Sequence, residues 1–323
     1  MTIEDGPEGG GAKPTEVDAR GTTDLVGHRV IQSSQLDVSR DPIHNVIVAA
    51  KTEQGRWIEE ATRQIGPARA RFRSTYFHWA MAINGLHIAA AKYAEFEWKS
   101  TRQFTIEGAR TDESGAVRKV TLAVWPGDEA ASAHLATIPK MMAWGYIELY
   151  AALEEFVFQL FRSFHDHHPE HLLRGGESRD LRKLRAEAEA DPAKRAAWRD
   201  AWRARLDSWQ RKKLYDSLHR VFLSFCQTSG IKEPADFSKT TVATWAETIE
   251  GIALVRHLLV HGESVVPESL AAFCAKPHSL GFGFKQGQPL RLELHHLQAL
   301  ECFADQLLNA LNRSLAEHPD AAA

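Results

Sequence analysis

The strongest constraint on this chain is the spacing of its apolar residues, which over three long stretches recur every three or four positions. Those stretches are Ile138 to Phe164, "IPKMMAWGYIELYAALEEFVFQLFRSF", Thr240 to Gly262, "TTVATWAETIEGIALVRHLLVHG", and His296 to Leu315, "HLQALECFADQLLNALNRSL". A period near 3.6 places such residues on one face of a helix, and that face has to be covered by another helix. The chain is therefore expected to be mainly α, an antiparallel helical bundle. At 323 residues and 44% hydrophobic content it is long enough to bury a substantial core.

Other segments fit around these helices. Residues 1–42 are rich in Gly, Asp, Glu, Thr and Ser, and too poor in large apolar side chains to offset ordering entropy, so a disordered tail is expected there. Residues 43–137 form an N-terminal region. Helical spacing in "WIEEATRQI" and again in "YFHWAMAINGLHIAAAKYAEFEW" predicts two helices between Arg56 and Glu97, followed by a β-hairpin over Arg102 to Trp125 around the turn "TDESG". A second hairpin is expected over Leu280 to Leu294. The bundle proper is assigned to 138–317, with a helical insertion near 178–227, and 318–323 as a short tail. Within that insertion, Ser178 to Ala190 and then Ala196 to Cys226 are expected as helices separated by Asp191-Pro192, with "TSGIKEP" as a stop.

Charge and cysteine content exclude some classes. A formal net charge of -3 and a pI near 6.6 supply no whole-molecule attraction to nucleic acid or membrane, so a polyanion would need a local patch. Cys226, Cys274 and Cys302 stand far apart without CxxC or Cys/His spacing, which argues against a structural zinc site and suits a reducing compartment. An acidic, glycine-rich start and the lack of any apolar run of membrane-spanning length lead to the expectation of a cytoplasmic protein with no membrane partner. No cofactor is expected, for no glycine-rich phosphate loop stands between a strand and a helix.

The residues that carry chemistry stand in "VRHLLVHGE", Val255 to Glu263. On a helical wheel Val242, Trp245, Ala246, Ile249, Ala253 and Val260 form an apolar stripe, and Arg256 falls inside it. A guanidinium there needs an acidic partner or a polar cleft. His257 and His261, one turn apart, border the stripe, and Gly262 is placed to end the helix, with Thr240 or Thr241 to begin it. On the Ile138–Phe164 stretch the apolar stripe includes Glu154, which could meet Arg256.

Arg256-His257-Leu258-Leu259-Val260-His261 resembles the R-x4-6-H motif of HEPN domains, helical bundles of prokaryotic defence and toxin–antitoxin systems. "YIELYAALEEFVFQLF" is similar to the helix that commonly precedes that motif, so the resemblance spans about Ile138 to Leu315. It implies a HEPN-like bundle and a metal-independent endoribonuclease acting on RNA as a toxin or antiviral, abortive-infection effector. Its active site would be composite, made where two copies meet in a homodimer, and its products would carry 2′,3′-cyclic phosphate and 5′-hydroxyl ends. His261 would transfer protons, Arg256 would bind the scissile phosphate, His257 would orient the pair or touch phosphate, and Glu154 would hold Arg256. An antitoxin or regulatory partner would fit such a system. The alternative is a non-catalytic HEPN-like dimerisation or scaffold module that partners a nucleotidyltransferase or another defence protein.

Two further motifs carry blander readings. "HDHHPEH", His165 to His171, has irregular spacing around Pro169 and is expected to be a solvated loop after a helix, not a metal site. Trp198, Trp202 and Trp209 among many Lys and Arg suit an amphipathic helix with a buried tryptophan face, whose arginine face could add RNA contacts.

Overall fold

A computed structural model describes residues 45–322; the tail expected over 1–42 lies outside them. The chain is mainly helical. The elements are α1 Arg56–Ala94, α2 Phe96–Thr101, β1 Gln103–Thr111, β2 Val117–Pro126, α3 Gly127–His167, α4 Arg179–Ala190, α5 Arg195–Lys213, α6 Leu218–Ser229, α7 Val242–Val260, α8 Glu268–Cys274 and α9 Leu294–Ala316.

Two long helices form the spine, and cross-helix pairs set their direction. Trp79 Nε1 donates to Glu148 (2.6 Å), Arg71 to Glu155 (2.5 Å) and Ser163 Oγ to Glu60 (2.7 Å). Numbers that fall on α1 rise on α3, so the two run antiparallel. Helix α9 also runs against α1: Arg69 meets Asp305 (2.8 Å), while Gly55 lies against Asp320. Between these helices lie Trp57, Phe72, Tyr146, Leu149 and Leu153, with Phe222 and Phe225 from α6, all fully buried. Each such side chain contributes roughly 1.5–3 kcal/mol by leaving water, which outweighs weak local preferences along the chain.

That packing explains where the structure departs from the sequence expectations. The segment from Arg56 is one helix of 39 residues, not two, and it runs through Pro67. Proline forfeits one backbone hydrogen bond, but Trp57, Ile58, Ile65 and Phe72 are held in one core on either side of it. Helix α3 likewise starts at Gly127 and passes Pro139, so the boundary placed between 137 and 138 falls inside a helix. Over its described residues the region drawn at 43–137 therefore does not stand apart, because α1 shares the core of the bundle. The insertion expected near 178–227 also divides. Trp202 and Leu206 of α5 form a satellite cluster with Leu173, with Leu181 of α4 and Trp198 packed on it, while α6 belongs to the main core. A break over Leu214 to Ser217 separates α5 from α6, with Tyr215 94% exposed.

The hairpin β1–β2 is antiparallel with a bulge at Ile106/Glu107. The second hairpin does not form. Residues 287–290 instead bond to the segment just beyond α7: Val266 N–H to Gln288 O (2.9 Å), Gly287 N–H to Val266 O (2.9 Å) and Leu290 N–H to Ser264 O (2.8 Å). Leu280, Gly281, Gly283 and Gly287 all take positive φ, which a regular strand does not allow, and Phe282 and Phe284 turn into the core. The tail expected at 318–323 is tied down through residue 322: Ala321 is buried, and Ala322 N–H donates to Ala49 O (2.7 Å). The expected solvated loop at 165–171 is a correction too, since His165 lies inside α3 and is 2% exposed among Phe161, Phe164 and Trp209. Among the described residues no helix is long and apolar enough to cross a membrane.

Candidate active site

Helix α7 is built by clear local signals. Thr241 caps it, its side chain accepting from Thr244 N–H while Thr244 Oγ1 accepts from Thr241 N–H, a reciprocal capping box. At the other end His261 N–H bonds to His257 O (3.1 Å), and Gly262 follows with φ +72°, the left-handed turn that glycine adopts without a Cβ clash. The chain leaves the helix there, and the last turn carries Arg256, His257 and His261.

The buried face of α7 consists of Trp245, Ala246, Thr248, Ile249, Gly251, Ile252, Val255 and Leu258. Val260 is 48% exposed. Apolar residues surround this helix on nearly every side, so the wheel alone sets its inward direction poorly. Arg256 accordingly stands at the margin of the buried face, half-buried, and His257 and His261 are exposed. The two imidazole rings have centroids 4.3 Å apart, as one-turn spacing provides.

Arg256 meets α3, though not through an ion pair. Its guanidinium carbon sits 5.5 Å from the centre of the Tyr150 ring, and Nε is buried without a hydrogen-bond partner. Among the described residues no carboxylate lies within 4 Å of it. Glu154, expected to hold Arg256, feels its charge from further away: burial raises the Glu154 carboxyl above the usual carboxylate range, and Arg256 and a hydrogen bond with Tyr150 pull against that rise. The Tyr150 hydroxyl is pushed up to about 12 by burial, with Glu154 adding to it. Tyr150, at one-turn spacing before Glu154, is thus the platform beneath Arg256, a partner that the i, i+4 pair on α3 could have revealed.

These groups line a cleft of about 580 Å³, closed on one side by Asp216 and Ser217 of the α5–α6 break with His219 of α6, and on another by Glu250 and Ala253 of α7. Arg256 and His257 line it; His261 is not among the lining residues, its ring tilted 52° to that of His257. A larger cleft, of about 870 Å³, lies by the far end of α3 between Asp166, Arg185, Arg199 and Trp202, and holds none of the Arg256 group. Of the three tryptophans expected to form a buried face, Trp202 and Trp209 are buried and Trp198 is half-buried. The Arg256 cleft carries both signs of charge: Arg256 rests on a π-face and shares the lining with the imidazoles of His219 and His257 and with the carboxylates of Glu154, Asp216 and Glu250. No family model, curated protein or solved structure matches this chain.

Proposed function

We propose that the last turn of α7 is half of a composite ribonuclease site, completed by a second copy of the chain. On this reading the protein is a metal-independent endoribonuclease acting as a toxin or antiviral effector. The observation that carries it is the unpaired state of Arg256 among the described residues. A structural arginine at the edge of a core would be bonded to a carboxylate, whereas this one rests on the Tyr150 ring and its charge is left for an incoming anion. His261, exposed beside His257, suits a site that a partner copy finishes across a two-fold axis.

The reaction then follows from the groups present. An imidazole of His261 takes the 2′-hydroxyl proton, and the 2′-oxygen attacks the adjacent phosphorus. The bond from phosphorus to the 5′-oxygen breaks, and the leaving oxygen receives a proton from the second copy's histidine. Arg256 neutralises the charge that builds on the phosphoryl oxygens, and His257 orients it from one residue away. Glu154, acting through Tyr150 at longer range, sets the position of the guanidinium without neutralising it.

The test is cleavage of RNA by the purified chain in the presence of EDTA, with mapping of the ends. Wild type should leave 2′,3′-cyclic phosphate and 5′-hydroxyl ends. Arg256→Ala and His261→Ala should lower the rate by about 100-fold or more, the scale on which a transition-state donor acts, with the dimer intact by gel filtration. Undiminished toxicity and cleavage in the double variant would discard the catalytic reading in favour of a scaffold module.

A further inference from the structure

The histidine-rich end of α3 carries chemistry that the Arg256 cleft does not use. His168 and Glu154 are fourteen residues apart on or just beyond one helix, roughly 21 Å at 1.5 Å per residue, so the two places are separate. Here the helix stops, Pro169–His171 makes a single 3-10 turn, and His168, Glu170 and His171 converge. One nitrogen or oxygen from each lies within 4.8 Å of the other two. His168 Nδ1 is 3.1 Å from Glu170 Oε1, and His171 Nε2 is 3.9 Å from the same oxygen. A tetrahedral ion with bonds of about 2.0–2.1 Å holds its donors roughly 3.3 Å apart, which these separations bracket.

A second observation is independent of that spacing. His165, one turn back on α3, is 2% exposed, and neither of its ring nitrogens has a hydrogen-bond partner. Stacking explains where the rings lie, since His165 rests on Phe161 (4.5 Å) and His168 on Phe164 (4.6 Å). It does not satisfy the nitrogens, and a buried polar group left unmade costs about 1–3 kcal/mol. The ring of His165 is 6.4 Å from that of His171, whereas two imidazoles on one tetrahedral ion stand about 5 Å apart, so His165 joins the three converging residues only by closing more than about 1 Å towards them.

We propose that His168, Glu170 and His171, with His165 as the fourth donor, form a binding site for a divalent ion of the zinc class. Imidazole nitrogens dominate the set, which favours zinc, cobalt or nickel over calcium or magnesium, whose shells are built from oxygen. The ion pins the end of the 41-residue α3 to the turn that leads into α4 and α5. With every donor taken from the protein, its role is structural.

The test uses the full chain stripped with EDTA and titrated with zinc by calorimetry, and with cobalt by absorbance, where a tetrahedral site gives intense visible bands. One equivalent should bind and raise the melting temperature. Glu170→Gln, at a side chain 53% exposed and so harmless to folding, should weaken binding tenfold or more, the size carried even by loss of an outer-shell partner. His165→Ala should weaken it as well, and His168→Ala with His171→Ala should abolish it. The other histidine pair at helical spacing, His257 and His261, is the control, and its double alanine variant should bind as wild type does. Absence of one-to-one binding at micromolar zinc, binding that survives Glu170→Gln unchanged, or binding lost in the His257/His261 variant would each overturn the proposal.

Discussion

Substituting Gly251 by Ala sets two opposed effects against each other at the centre of α7. A Cβ at this position would fall 2.2, 2.3 and 2.4 Å from three ring carbons of Phe273 on α8. Carbon atoms sit comfortably at about 3.5 Å or more, so roughly 1.2 Å has to be made up. Phe273 cannot simply swing outward: it is 5% exposed, and its ring lies 6.4 Å from that of Phe282 and 6.5 Å from that of His278. Overpacking of this kind costs about 1–3 kcal/mol, and three ring carbons met at once argue for the upper end. Against it stands the gain from replacing glycine inside a helix, about 1 kcal/mol. The expected result is a net loss near 2 kcal/mol, read as a lower urea midpoint at unchanged slope. Gly85 supplies the contrast, since it lies in α1 with nothing within 4 Å of its would-be Cβ, and Gly85→Ala should stabilise by up to about 1 kcal/mol. Adding Phe273→Leu to Gly251→Ala should recover part of the loss, because the two sites are in contact and do not add independently. A Gly251→Ala protein as stable as wild type would refute the reasoning, for the clash would then have been absorbed without cost. Because Gly251 precedes Arg256 by little more than one turn, a tilt of α7 that relieves the clash should also lower the proposed RNA cleavage.

Acid stability should depend on His296. Glu293 N–H donates to its Nδ1 (2.8 Å), which makes that nitrogen an acceptor and leaves Nε2 to donate to Phe282 O (3.1 Å). Burial first, and then His295, push this imidazole down to about 4, so the folded protein keeps it neutral while the unfolded chain takes up a proton near 6.5. Stability from this group is complete above pH 6.5 and is lost as the pH falls from there to about 4, up to about 3 kcal/mol in all. Urea midpoints measured between pH 7 and 4 should fall more steeply for wild type than for His296→Leu, and equal slopes would contradict the assignment. At the α1–α9 contact, Arg69 is 6% exposed and reaches Asp305 with Nε (2.8 Å) and Nη2 (3.0 Å). Asp305→Ala should cost about 3 kcal/mol by urea titration, and Arg69→Met with Asp305→Leu should restore most of it, since removing both charges spares the desolvation cost. A double variant no more stable than Asp305→Ala alone would contradict that account.

What was legible in the sequence, and what was not, follows from where the deciding interactions lie. The ends of α7 were readable because their causes are local: a threonine that caps the first turn and a glycine that accepts the left-handed turn after the last. The break between α5 and α6 carried a local signal as well, with Asp216-Ser217 ahead of the apolar run Leu218 to Cys226, but the helical spacing on both sides hid it. The missing hairpin was not legible in the same way. Residues 280–294 alternate like strands, yet their backbone pairs with 264–266, a choice made by the chain's return past the end of α7. The same limit applied to Arg256. Its charge marked it out, but the ring it rests on belongs to α3, and no pattern within α7 could show that a tyrosine ring and not a carboxylate would meet it. That difference decides the chemistry. An arginine matched by a buried carboxylate holds two helices in register, whereas one resting on Tyr150 with Glu154 at a distance stays positioned while its donors remain unspent. Replacing Tyr150 by Leu should therefore lower cleavage by loosening Arg256, whereas Glu154→Gln, which removes a charge without removing a contact to the guanidinium, should have the smaller effect. If Glu154→Gln were instead the more damaging change, Arg256 would be a structural ion-pair partner after all, and the exposed His257 and His261 would lose their role with it.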